Sequence, residues 1–215
     1  MERIICIVIG YLFGLFQTSY FYGKIQGIDI REHGSGNAGT TNMLRTLGFG
    51  AGLVTFLGDG LKCVFAVVLT EAVFKDTCSD ILPLIAIYTA AGVVLGHNFP
   101  FYLKFRGGKG IAATGGFIAS ISIPLAAAAI LLFAFVVTLT HYVSLGSLIV
   151  CSAFFVELII CGQLGVFGME QQYLNEMYIV AAFLTLLAFW MHRTNISRLR
   201  QGKENKTYVF KKKEK

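Results

Sequence analysis

The sequence predicts an all-α membrane protein, a bundle of seven transmembrane helices with glycine-rich cytoplasmic loops, and three observations predict it. Of its 215 residues, 55% are hydrophobic and only 14% charged, and the mean hydropathy is +0.68, which leaves too little polar surface to cover a soluble core. Apolar stretches on the scale of a bilayer-spanning helix, about 20 residues, recur along the chain. The charges of the connections between them segregate into two groups of opposite character.

The stretches cover residues 4–21, 50–73, 81–103, 111–123, 124–140, 148–167 and 177–191. The first reads as a helix of the mature protein, because Glu2 and Arg3 are its only charged flank and a tyrosine-rich segment stands where a signal peptide would have small residues. The fourth and fifth are short and meet at Pro124, so five spans plus a re-entrant pair is the alternative. Spans alternate sides. One set of connections then holds Lys24, Arg31 and Arg45, next Lys104, Arg106 and Lys109, then His141 and the tail from His192 to Lys215. The other set holds the N-terminus, residues 71–80 with a single lysine, the joint at Ser122, and residues 167–176, which carry two glutamates and no lysine or arginine. The positive-inside rule puts the basic set in the cytoplasm and the N-terminus outside. Residues 1–199 form a single integral membrane domain, and residues 200–215 a basic cytoplasmic tail suited to anionic lipid headgroups.

The five cysteines form no C-x-x-C pair and read as small packing residues. Asp59 and Lys62, three apart within the second stretch, are close enough to pair on one helix face, and because charges at that depth are costly they read as a structural pair or, alternatively, as groups with a direct role in the groove.

Three polar segments carry the candidate chemistry. In residues 31–42, Gly34, Gly36 and Gly39 allow turns whose N–H groups converge on an anion. Ser35, Asn37, Thr40, Thr41 and Asn42 add side-chain hydrogen bonds, and Arg45 adds a fork for phosphate oxygens. Residues 96–110 leave a span, turn at Pro100, and bring Lys104, Arg106, Lys109, Gly107, Gly108 and Gly110 to the start of the next helix, a natural anion site. This is not a nucleotide P-loop: Leu103 stands where the first glycine belongs and Gly110 where the hydroxyl belongs. Residues 192–204 gather His192, Asn195, Arg193, Arg198 and Arg200 just after the last span. Topology asks for lysine and arginine but not for the glycine, serine and asparagine around them, so a shared phosphate site is the leading reading. A transporter for a phosphorylated solute, or a membrane adaptor, are its rivals.

Together the segments resemble the PlsY family, bacterial membrane glycerol-3-phosphate acyltransferases that use acyl phosphate. Gly34-Ser35-Gly36-Asn37 through Thr41-Asn42 with Arg45-Thr46-Leu47-Gly48 is similar to the first family motif. Gly96-His97-Asn98-Phe99-Pro100 with Lys104-Phe105-Arg106-Gly107-Gly108-Lys109-Gly110 is similar to the second. His192-Arg193-Thr194-Asn195-Ile196 with Arg198-Leu199, Gly202 and Glu204 is similar to the third, and Tyr142 to Ser147 resembles a further shared stretch. Departures are few: Thr40 replaces an alanine, His141 an arginine, Cys63 a glycine and Arg200 a leucine.

The resemblance implies acyl transfer from acyl phosphate to the 1-hydroxyl of sn-glycerol 3-phosphate, giving lysophosphatidic acid and phosphate, the first step of phospholipid biosynthesis. It implies catalytic roles for Ser35, Arg45, His192 and Asn195. Substrate binding falls to Asn37, Thr41, Asn42, Lys104, Gly107, Gly108, Lys109, Gly110 and Ser144, and structural support to Glu204. No metal, cofactor or nucleic acid is implied; the partners are the two substrates, membrane lipids and an enzyme that makes acyl phosphate. The implied location is the bacterial inner (cytoplasmic) membrane, with the active site on the cytoplasmic side. The acyl-CoA acyltransferase box His-x-x-x-x-Asp is absent, since Ala38, Tyr102, Gly146 and Ser197 follow the four histidines at that spacing.

Overall fold

The structure, a computed structural model, describes residues 1–208. The terminal Lys-Lys-Lys-Glu-Lys, expected to meet lipid headgroups, lies outside the described residues. These residues form ten α-helices joined by short turns, with no strand among them. They are α1 (Glu2–Gly14), α2 (Thr18–Ile25), α3 (Thr40–Leu47), α4 (Phe49–Phe74), α5 (Leu82–Asn98), α6 (Ile111–Ile121), α7 (Ile123–Thr140), α8 (Val143–Gln163), α9 (Gln171–Met191) and α10 (Arg193–Arg200).

Six segments are long and apolar enough to cross a membrane: α1 with α2, α4, α5 with its flanking turns, α7, α8 and α9. The seventh expected span is α6, whose 11 residues reach only about 16 Å at 1.5 Å per residue, against about 30 Å of hydrocarbon. Its brevity has a local cause. Ser122 is extended at φ −160° and its hydroxyl accepts from Leu125 N at 3.4 Å, which ends α6 and caps α7 in one residue. The outward faces are apolar, with Leu131 70% and Leu186 69% exposed, as lipid contact requires and water would penalise.

Lipid offers no hydrophobic drive between helices, so close backbone approach must hold the bundle. α1 carries Gly10 and Gly14, and α5 carries Gly92 and Gly96. A Cβ at Gly92 would lie 2.9 Å from Tyr11 N, and one at Gly96 would lie 3.0 Å from the Gly14 Cα. Two Gly-x-x-x-Gly faces thus interlock along parallel helices. A second crossing brings Gly116 of α6 against the Gly60 backbone of α4.

Contacts sort the connections as the charge pattern expects. At one end Glu176, near the start of α9, accepts from Arg3 NH2 at 2.8 Å and from the Tyr88 hydroxyl at 2.7 Å. At the other end lie the basic segments, joined by Arg31 NH1 donating to Leu103 O at 3.2 Å, by Lys109 donating to Asn195, and by Thr207 N donating to His141 O at 2.8 Å.

Gly92→Ala should destabilise the bundle by about 1–3 kcal/mol through overpacking, read as a lower unfolding temperature in detergent. Gly115→Ala, where nothing lies within 4 Å of the added carbon, is the control and should cost nothing. Equal shifts for the two would contradict the interlocked crossing.

Candidate functional site

The first polar segment is folded by its own side chains. Asp29 caps the turn Ile30–Glu32, accepting from Arg31 N at 3.1 Å and from its guanidinium at 2.7 Å. That guanidinium holds the Asp29 carboxyl down at about 2. Gly34 and Gly36 then take positive φ. Asn42, buried at the start of α3, spends its whole amide on this loop: Oδ1 accepts from Ser35 N at 2.9 Å, while Nδ2 donates to Ile30 O at 3.1 Å and His33 O at 2.9 Å. Its observed work is therefore loop shaping. The Ser35 side chain is left exposed on the outer surface of the turn, with Asn37 and Thr41 on either side of Gly39.

The second segment folds back over the end of α5. Gly107 N donates to Asn98 O and Gly108 N to His97 O, each at 3.1 Å, capping carbonyls the helix leaves open. Glycine is obligatory at both positions, since a Cβ would meet His97 O at the first, and the His97 ring and Ala38 O at the second. The Gly108–Ala38 approach also joins this loop to the first. Lys104 sits in left-handed backbone at φ 56°, exposed, its N–H donating to Phe101 O at 3.1 Å and its side chain in no hydrogen bond or ion pair among the described residues. Gly110, at φ 79°, opens α6.

The third segment closes the site. Glu204 is buried, and its carboxylate accepts from the Asn195 amide at 2.6 Å, Arg198 Nε at 2.7 Å and the Ser144 hydroxyl at 3.0 Å. Asn195 Oδ1 in turn accepts from Lys109. Burial alone would raise the Glu204 carboxyl, but these donors outweigh it and hold it below the ordinary carboxylate range. Burial drives the Lys109 ammonium down to about 8; Glu204 partly restores it, while Arg198 and Arg45 push against it. His192 falls to about 4, first through burial and then through Lys109. Its Nδ1 lies 2.8 Å from Ala188 O; a carbonyl only accepts, so Nδ1 carries the proton and Nε2 is left as an acceptor.

Of the residues singled out from the sequence, Lys109, Ser144, Asn195 and Glu204 form one bonded chain, and Arg45 and His192 feel its charges. Ser35, Asn37 and Lys104 belong to the adjoining loops and Thr41 to the first turn of α3, and their side chains share no hydrogen bond with that chain among the described residues. Gly107, Gly108 and Gly110 build the turn that carries Lys109. Three participants had no assigned role. Arg198 braces Glu204 from the same short helix as Asn195, a three-residue spacing that the sequence displays. Thr207 and the Asn205 carbonyl accept from Arg45, the carbonyl at 3.0 Å, and nothing in the basic composition of that stretch signals it. The whole forms a cationic end with hydrogen-bond donors, suited to phosphorylated or carboxylated ligands.

Residues 4–202 match the family model described as glycerol-3-phosphate acyltransferase. The chain is 44% identical over 207 residues to the glycerol-3-phosphate acyltransferase of Clostridioides difficile (strain 630), covering 94% of each. It is 43% identical over 206 residues to that of Halalkalibacterium halodurans, covering 93% of each. Among solved structures it is similar to PlsY, an integral membrane glycerol 3-phosphate acyltransferase, in its glycerol 3-phosphate form, with a TM-score of 0.83, 28% identity and 97% of each chain covered. The same protein in its lysophosphatidic acid form gives a TM-score of 0.81. Family model, relatives and fold agree with the motifs, and the chain belongs to the PlsY family of glycerol-3-phosphate acyltransferases.

Proposed function

We propose that this protein transfers a fatty acyl group from acyl phosphate to the 1-hydroxyl of sn-glycerol 3-phosphate, releasing lysophosphatidic acid and inorganic phosphate. The observation that carries the reading is the chain Lys109–Asn195–Glu204–Ser144, which joins the glycine turn, the segment after the last span and the start of α8 into one cationic cluster. The relatives' names and the two ligand forms of the solved PlsY structure support it. The reaction is the first step of phospholipid biosynthesis. It runs at the cytoplasmic face of a bacterial inner membrane, supplied by an enzyme that makes acyl phosphate.

An acyl phosphate is a mixed anhydride with a good leaving group, so the site must mainly hold two phosphates and aim a hydroxyl at a carbonyl. Lys109, the glycine turn and Lys104 take the acceptor's phosphate, and Arg45 and Ser35 take the donor's. His192 Nε2 and Asn195 orient the hydroxyl. The acceptor oxygen attacks the carbonyl carbon, and the carbon–oxygen bond to phosphate breaks. The hydroxyl proton goes to the departing phosphate: His192 at about 4 is a weaker base than a phosphoryl group, whose second pKa is about 6. His192 therefore acts by alignment, as the neutral imidazole that burial and Lys109 favour near neutral pH.

Purified protein given acyl phosphate and glycerol 3-phosphate should release phosphate in step with lysophosphatidic acid, and should fail with acyl-CoA or acyl carrier protein as donor. Solute flux into vesicles without product would mark a transporter instead. His192→Ala should lose most turnover while keeping its unfolding temperature; wild-type rates would remove His192 from the mechanism. Lys109 is cationic below about 8 and neutral above it, so kcat/KM for the acceptor should decline as pH rises through about 8. Lys109→Arg should move that limb upward, and an unmoved limb would show that Lys109 is not its source.

A further inference from the structure

Beneath the glycine turn, inside the bundle, lies a polar cluster that the reaction does not use. Asp59, Lys62 and His97 are 1%, 6% and 3% exposed. Lys62 Nζ contacts Phe16 O at 2.6 Å, His97 Nδ1 at 2.9 Å, Asp59 Oδ1 at 3.0 Å and, more distantly, Gly14 O at 3.3 Å. Thr18 donates to the same Asp59 oxygen at 3.0 Å. An ammonium has three protons and no lone pair, so its three nearest partners accept them, and His97 Nδ1 is one. The ring proton is then on Nε2, which lies where a Gly108 side chain would begin. The His97 carbonyl is held too, accepting from Gln17 Nε2 at 3.0 Å and from Gly108 N at 3.1 Å.

A buried ion pair of this kind is weak as a stabiliser, since apolar residues of the same volume often do as well or better, and within a membrane its cost rises. Its connections lead instead to the site. Lys62 ties the break between α1 and α2 to α4 and to the end of α5. The ring that Lys62 fixes is wedged under the turn carrying Lys109.

We propose that Asp59, Lys62 and His97 form a positioning relay that shapes the Gly107–Gly110 turn and thereby sets affinity for the phosphorylated acceptor; the proposal rests on the acceptor assignment made above. Asp59 braces Lys62, Lys62 fixes the orientation and tautomer of the His97 ring, and the ring fixes the turn from below. None of the three touches substrate.

Two variants test it. His97→Asn keeps an oxygen for Lys62 but removes the ring from under Gly108. Asp59→Asn/Lys62→Met removes both charges together and frees the ring. Each should raise the KM for glycerol 3-phosphate by about tenfold or more, as a displaced positioning group does, with the KM for acyl phosphate and the unfolding temperature unchanged. Nitrogen-15 spectra of histidine-labelled protein should show His97 protonated on Nε2 in the wild type and mixed tautomers in the double variant. A normal acceptor KM in either folded variant would overturn the proposal. So would equal changes in both KM values, collapse of both variants on heating, or a wild-type His97 protonated on Nδ1. Wild-type protein that neither binds nor acylates glycerol 3-phosphate would instead refute the acceptor assignment, a result distinct from each of these.

Discussion

The site depends on one buried carboxylate among cations. Glu204 lies beyond the last helix, yet it is bonded to Ser144 at the head of α8 and to Asn195 and Arg198 of α10, and through Asn195 it reaches Lys109 at the mouth of α6. Arg45, Lys109 and Arg198 would repel one another if left to themselves. A single negative charge at their centre lets them converge while keeping the cluster positive on balance. A buried charge survives only when its lone pairs are satisfied, and the three donors Ser144, Asn195 and Arg198 meet that demand.

The bundle below is held differently. With lipid outside, its helices gain little from apolar burial against one another, and the glycine faces of α1 and α5 supply close backbone contact instead. That contact places the end of α5 beside the break between α1 and α2, where Lys62 and Gln17 donate to the Gly14 and Phe16 carbonyls of the break and Gln17 also to the His97 carbonyl of α5. Packing by small residues in the membrane and polar closure at its surface therefore meet at His97.

Much of this was legible in the sequence. Apolar runs mark the order of the helices, and the basic asymmetry groups the same connections that Arg3–Glu176 and Lys109–Asn195 hold at opposite ends. The Asp59–Lys62 pair follows from three-residue spacing and is present at 3.0 Å. Hidden features were of two kinds. Ser122 and Pro124 mark the joint within residues 111–140, but the sequence leaves open whether the stretch before it is a full span, and only the structure shows α6 to be half of one. Gly10, Gly14, Gly92 and Gly96 display their four-residue spacing, but which face meets which is a property of three dimensions. In the site, Asn42 reads as a ligand-binding amide because asparagine is suited to either task; only the geometry shows its three bonds spent on the loop. The contacts of Arg45 with Asn205 and Thr207 span some 160 residues, and no local pattern announces them.

The most direct test is the equilibrium affinity of Glu204→Gln for glycerol 3-phosphate, measured by calorimetry alongside its unfolding temperature. With the central charge removed, Ser144, Asn195 and Arg198 lose the anion they share, and Lys109 loses the charge it reaches through Asn195. The account predicts affinity weakened by about tenfold or more, the worth of a hydrogen bond to a charged group, in a bundle whose unfolding temperature is little changed. Unaltered affinity in that variant would contradict it.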